Sequence, residues 1–151
     1  MMGLFDIFKK DKGKELFTEQ TPAEKKAEAI RKEIERHNIK GDIEVYVEGN
    51  RVKIKGSVPD QKSREMLMVI TGNTKHIDSV DDGDLQGGDG SEGRFHTVES
   101  GETLSAIAKE YYGNANDYMK IFNANQPMLD DPDKIYPGQV LRVPREETAQ
   151  A

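Results

Sequence analysis

Residues 95–144 read FHTVESGETLSAIAKEYYGNANDYMKIFNANQPMLDDPDKIYPGQVLRVP, and their pattern leaves few folds open. An alternating run at 95–98 stops at Ser100-Gly101. Leu104, Ile107, Ala108 and Tyr111 then recur at i, i+3, i+4 and i+7, one face of a helix of 3.6-residue period. Thr103 stands where an N-cap hydroxyl is wanted. Gly113 stands where a helix ends on a left-handed residue. Tyr118, Ile121 and Phe122 share one face of a second short helix from about Asn116. That helix stops near Asn125-Gln126-Pro127, because proline cannot continue it. Ile135-Tyr136-Pro137-Gly138 predicts a turn, and 140–143 a closing strand. The order is strand, helix, helix, strand.

The first half has its own punctuation. Thr21-Pro22, with Glu24 three residues after Thr21, predicts a capping box and a helix to about His37. Ala23, Ala27, Ile30 and Ile34 form its buried face. Residues 43–48 and 51–55 alternate around Gly49-Asn50, which predicts a hairpin with a two-residue turn. A second helix is expected over 61–70, with Met66, Leu67, Val69 and Ile70 on its apolar face. It ends at Gly72-Asn73-Thr74, and a short strand follows at 77–80. The Gly/Asp/Ser stretch beginning at Asp82 reads as a flexible linker. The fold class is α+β in two small domains. We expect an N-terminal segment over 1–20 that docks on the first domain, domains over 21–85 and 95–145, a linker over 86–94 and a disordered tail over 146–151.

Composition excludes several classes. A net charge of −6 over 151 residues leaves no basic stripe to neutralise phosphates, so nucleic acid is not an expected partner. There is no cysteine, hence no disulfide and no thiolate metal site. No apolar run approaches the ~20 residues of a membrane span. The start, MMGLFDIFKK, is not a secretory signal, because its charges follow the apolar residues and no small-residue cleavage site appears. A cytoplasmic monomer is expected. Leu4, Phe5, Ile7 and Phe8 are too apolar for a free tail, which leaves docking on the following domain or an amphipathic surface anchor. Asp78, Asp81, Asp82 and Asp84 lack the spacing of a calcium loop. His37, His76 and His96 lie on three different elements. No nucleophile elbow, phosphate loop or zincin motif is present, and no enzymatic activity is expected.

Three resemblances add to this. Residues 95–144 resemble the LysM domain through Phe95-x-Thr97-Val98, Gly101-Glu102-Thr103-Leu104, Asn123, Asn125 and Pro137-Gly138-Gln139-x-Leu141. LysM domains bind N-acetylglucosamine glycans. The resemblance would put a groove between Gly101, Glu102, Thr103 and Leu104 on one side and Asn125, Gln126, Pro127 and Met128 on the other. The same residues have fold roles open to them, as turn, cap and helix end. Residues 22–85 resemble the BON domain through Val52-x-Ile54-x-Gly56-x-Val58 and the later strand. His76 stands where that family commonly has glycine.

The pairing itself, after a Met2-Gly3-Leu4-Phe5 start, is similar to the bacterial potassium-binding protein family. That resemblance implies one K⁺, with Rb⁺ or Cs⁺ as related ligands. It also implies main-chain carbonyl ligation and a chain that compacts on binding, as a sensor or buffer of potassium. By position the ligands would be the carbonyls of Phe8, Asp11, Gly72, Thr74 and Ile77, with Lys12 the neighbour that a one-residue shift would substitute for Asp11. The chemistry is compatible. Carbonyls in the last turn of a helix lack intrahelical partners and sit at the negative end of its dipole. A large, weakly hydrated cation is well served by such neutral oxygens. The alternative is an envelope module, with LysM on peptidoglycan and BON on lipid.

Overall fold

The structure is a computed structural model; it describes residues 4–5, 8, 11–88 and 94–145, with only the backbone at 4 and 5. Ile7, the centre of the expected linker and the 146–151 tail lie outside the described residues.

Seven of the elements make the first unit. Strand β1 is Leu4–Phe5, helix α1 is Ala23–Arg36, and the hairpin strands are β2 (Asp42–Glu48) and β3 (Arg51–Ser57). Helix α2 is Gln61–Gly72, followed by β4 (Ser79–Asp81) and β5 (Leu85–Gln86). The hairpin pairs from Glu48↔Arg51 to Asp42↔Ser57 around Gly49, whose φ of 61° is the left-handed geometry a two-residue turn needs. Strand β4 lies parallel to β3, and α2 is the crossover between them. The order across the sheet is β1-β4-β3-β2, and β5 adds to the far end of β3. Ile30 and Ile34 of α1 pack with Val52, Ile54, Met66, Leu67, Val69, Ile77 and Val80.

Two expectations for this unit need correction. Thr21 does not cap α1: the N-cap position is Pro22, and the Thr21 hydroxyl instead accepts the Thr18 amide at 3.1 Å. The chain after Asp82 is also not free. Arg64 donates to the carbonyls of Asp82, Leu85 and Gly87, and its guanidinium pairs with the Asp82 carboxylate at 3.0 Å. A Cβ at Gly87 would lie 2.0 Å from the Val58 carbonyl oxygen, so this stretch is pressed onto the unit as far as Gly87. Composition cannot foresee a guanidinium supplied from a helix about twenty residues earlier.

The second unit is β6 (Arg94–Thr97), α3 (Leu104–Tyr112), a 3₁₀ turn over Ala115–Asp117, α4 (Tyr118–Ala124) and β7 (Val140–Val143). Thr103 caps α3 by accepting the Ala106 amide at 3.1 Å, and Gly113 closes it at φ 76°. Strands β6 and β7 pair antiparallel, Arg94↔Val143 to Thr97↔Val140. Val98, Leu104, Ile107, Ala108, Ile121, Phe122, Leu141 and Val143 form the core.

Helix α2 joins the two units. Its sequence predicts a single apolar face, yet every residue from Glu65 to Gly72 is buried. One side packs on the first sheet. The other meets β7, whose Val140 belongs to the first unit's core. A helix covered on both sides buries its polar residues too, and these must find partners.

Candidate functional site

The C-terminal end of α2 is where three segments meet. Asn73 is the C-cap, and its amide donates to the Val69 carbonyl at 2.9 Å. The N-terminal segment runs alongside. Lys14 N–H donates to the Asn73 carbonyl and Lys75 N–H to the Lys14 carbonyl, both at 2.9 Å. Lys14 and Thr74 form an isolated parallel bridge. Two glycines permit this approach. A Cβ at Gly13 would stand 2.3 Å from the Asn73 carbonyl oxygen, and one at Gly72 would stand 2.1–2.3 Å from the Phe8 ring. Phe8 therefore fills the notch left by the missing Gly72 side chain, and is itself buried. Lys14 Nζ reaches Glu33 of α1 at 3.0 Å, and Phe17 is buried beneath the Lys26 ammonium.

The second unit supplies the third wall. Lys12 lies against Gly138, where a Cβ would be 2.6 Å from the Lys12 chain. Asn73 Nδ2 donates to the Val140 carbonyl at 2.8 Å, and Asn73 Oδ1 accepts the Val140 amide at 2.9 Å. Across the same boundary Glu65 receives Arg142 Nε at 2.9 Å, and both side chains are buried. A cleft opens beside this contact, with Lys14, Glu33, Arg36, Thr74, Met128 and Tyr136 among its walls.

The structure thus brings Phe8, Gly72, Thr74 and Ile77 to one place. The Thr74 carbonyl accepts the Ile77 amide at 3.1 Å and retains a second lone pair. Among the described residues, no backbone amide donates to the carbonyls of Gly72 or Ile77. One residue before Gly72, the Thr71 hydroxyl is buried and has no hydrogen-bond partner among the described residues. Asp11 is exposed and lies three residues before Lys14, which pairs with Thr74. Among the described residues, no three His, Asp or Glu side chains are placed so that they could hold a metal ion together.

His76 explains a departure seen in the sequence. Its φ is 80°, the left-handed region glycine adopts without cost. Its ring lies 6.1 Å from that of Phe17, with Glu15 and Glu19 each 3.9 Å from a ring nitrogen.

The positions of the glycan groove have other occupations. Glu102 accepts from the Glu99 amide at 2.8 Å and pairs with His96 at 2.7 Å, while His96 reaches the Tyr111 hydroxyl at 2.9 Å. Burial raises the Glu102 carboxyl, but the His96 and Glu99 hydrogen bonds outweigh it and hold the carboxyl below its ordinary value. Thr103 caps α3, and Leu104 is buried. Asn125 is fully buried and bonds Ile121 and both backbone groups of Arg142. Of these positions, Gly101, Thr103, Gln126 and Pro127 are exposed. Met128 packs against both cores, with its sulfur 3.5 Å from Asn73 Nδ2. One wall of that groove therefore faces the first unit.

Three of the acidic residues after α2 are likewise committed. Asp82 pairs with Arg64, Asp84 pairs with Lys53 at 3.0 Å, and Asp81 accepts the Gly83 amide at 2.9 Å. Sequence reasoning missed Asn73, Glu65 and Arg142. The one signal was polar side chains on or beside a helix that must be covered on two faces.

Comparison with known proteins agrees with this architecture. The BON domain model matches residues 24–86 and the LysM domain model residues 96–144. The potassium binding protein Kbp of Escherichia coli O6:H1 (strain CFT073) is 43% identical over 150 residues, covering 96% of this chain and 100% of that protein. The chain belongs to the Kbp family. An uncharacterized protein of Deinococcus radiodurans is 30% identical over 113 residues, covering 68% of this chain and 44% of that protein. As a Kbp-family chain it has a BON domain followed by a LysM domain. Among the described residues, no helix is long and apolar enough to cross a membrane.

Proposed function

We propose that this chain is a non-enzymatic potassium-binding protein that takes one K⁺ at the junction of its N-terminal segment and the end of α2. The observation that carries the reading is the docking itself: Phe8 in the Gly72 notch, Gly13 close against the Asn73 carbonyl, and Lys14 bonded to Asn73 and Lys75. The relation to Kbp, a protein named for potassium binding, supports it. The ligands are the carbonyls of Phe8, Asp11, Gly72, Thr74 and Ile77, with Lys12 in place of Asp11 if the segment shifts by one residue. Neutral oxygens at the negative end of a helix favour a large cation whose hydration is easily shed. An ion held by carbonyls from two segments favours the form in which those segments are together. Binding therefore shifts the population toward the compact chain, which makes the protein a sensor or buffer of cytoplasmic potassium.

The test is a KCl titration of chelator-dialysed protein against NaCl at matched ionic strength, read by small-angle scattering and amide NMR shifts. Compaction with shifts at Gly72, Asn73 and Thr74 in KCl only is the expected result. Removing residues 1–12 should abolish it. Equal response to both salts would overturn the reading, and binding of chitin oligomers to the LysM groove would then be the next question. Asp11→Ala and Thr74→Val should change affinity little, because the ligands are main-chain.

A further inference from the structure

We infer that Asn73 is the positioning residue that couples the ion site to the docking of the LysM unit. The inference rests on the potassium reading above and extends it to a residue that ligates nothing. Asn73 sits between two of the carbonyl ligands, Gly72 and Thr74, and its own carbonyl holds Lys14 of the N-terminal segment. Its side chain points the other way, out of the first unit. There the amide acts as a short piece of strand. It donates to Val140 C=O and accepts from Val140 N–H, at 2.8 and 2.9 Å, across 67 residues of sequence.

This edge of β7 needs a partner. In an antiparallel pair alternate residues turn their backbone groups to opposite sides. Leu141 and Val143 face β6, so Val140 and Arg142 face away from it. Asn125 satisfies Arg142 from within the LysM unit. Val140 is satisfied by Asn73, from the other unit. Val140 is fully buried, so its backbone groups cannot trade Asn73 for water without the two units parting.

The backbone of residues 72–74 is thus read on two sides. An ion ordering the Gly72 and Thr74 carbonyls fixes the rotation of the peptide units between them. That rotation sets the aim of the Asn73 side chain at β7. With the ion absent and this turn free to reorient, the amide no longer meets both Val140 groups at once. Docking loses two buried hydrogen bonds, which corresponds to a roughly 10- to 30-fold change in the docked-to-undocked ratio. Reciprocity requires that removing the latch weaken K⁺ binding by no more than the same factor.

The experiment uses the full chain with Asn73→Ala and, as a second disruption of the same boundary, Glu65→Ala. Each is titrated with KCl and followed by small-angle scattering for domain arrangement and by amide shifts of Gly72 and Thr74 for ion binding. Far-UV circular dichroism reports whether both units are folded. The expected result is that Asn73→Ala keeps the K⁺-dependent shifts, with up to about 30-fold weaker affinity, while compaction is lost or displaced to higher KCl. Glu65→Ala should loosen docking in KCl and in NaCl alike, because Glu65 does not flank the ion site. Unchanged compaction in Asn73→Ala alongside a normal wild-type response would overturn the coupling role and leave the potassium reading standing. No wild-type response to K⁺ would overturn both. Equal compaction loss in the two variants, with the same dependence on K⁺, would make Asn73 an ordinary interface contact and would also overturn the coupling.

Discussion

Asn73 and Asn125 do the same chemistry on one strand. Each turns its side-chain amide against an outward-facing residue of β7 and makes both bonds, Asn73 to Val140 and Asn125 to Arg142. They differ in where they come from. Asn125 lies 17 residues from its partner, inside the same unit, and adds a bond to the Ile121 carbonyl at 2.7 Å. Asn73 lies 67 residues away, at the end of another unit's helix. The first pair of bonds forms when the LysM unit folds. The second forms only when two folded units meet. Identical contacts therefore hold a domain together in one place and report on a neighbouring site in the other. What separates them is the size of the body that must move to break them.

That contrast gives an ordered set of expectations. The largest effect belongs to Asn125→Ala, which strands the amide and carbonyl of Arg142 in a fully buried place. The LysM unit should lose about 3 kcal/mol, independently of salt identity. Denaturant unfolding followed by amide signals of Ile107 and Ile121 measures it. A variant that instead separates the units while leaving that core intact would erase the distinction drawn between the two asparagines.

Gly72→Ala comes next. Its methyl meets the Phe8 ring at 2.1–2.3 Å, so the ring must leave the notch or the helix end must shift. Overpacking of this kind costs about 1–3 kcal/mol. The N-terminal segment should be released with both units still folded, and limited proteolysis near Lys12 and Lys14 should accelerate. Wild-type cleavage rates would show that the Phe8–Gly72 contact does not hold the segment.

The smallest effect is electrostatic. Burial pushes the Glu33 carboxyl up, but hydrogen bonds from Arg36, Lys14 and His37 and the Lys14 charge bring it down to about 2, from an ordinary 4.5. A carboxyl depressed in the folded state stabilises it fully above pH 4.5, and that stabilisation drains away as pH falls toward 2. Exposure of Lys14 and Arg36 to solvent limits it to about 1 kcal/mol. Acid titration of stability in wild type and Glu33→Gln should diverge only above about pH 2, with the variant flatter between pH 5 and 2. Parallel curves would remove Glu33 as the strap that holds Lys14.

Much of the LysM unit was legible because its signals are local. Thr103 caps and Gly113 closes α3 through residues no more than four positions away. The β2–β3 hairpin was equally plain, since alternation and a Gly-Asn turn are properties of neighbours in sequence. Thr21 misled because a hydroxyl before a helix has two nearby uses, and here it bonds back to Thr18. The 82–88 stretch misled because its order comes from Arg64. Of the candidate ion site, the resemblance gave positions and the physics of a helix C-terminus gave a reason. Main-chain ligands leave no side-chain motif by which the residues alone could have marked them.

The sequence by itself determined two α+β units, their order, and most of their cores, because hydrophobic period and capping chemistry act over a few residues. The tertiary structure alone decided that α2 is buried on both faces, that Asn73 and Glu65 reach β7, and that Phe8 fits where Gly72 has no side chain. Those facts depend on the fit of surfaces far apart in the chain. A buried polar side chain reveals its purpose only once its partner is in place.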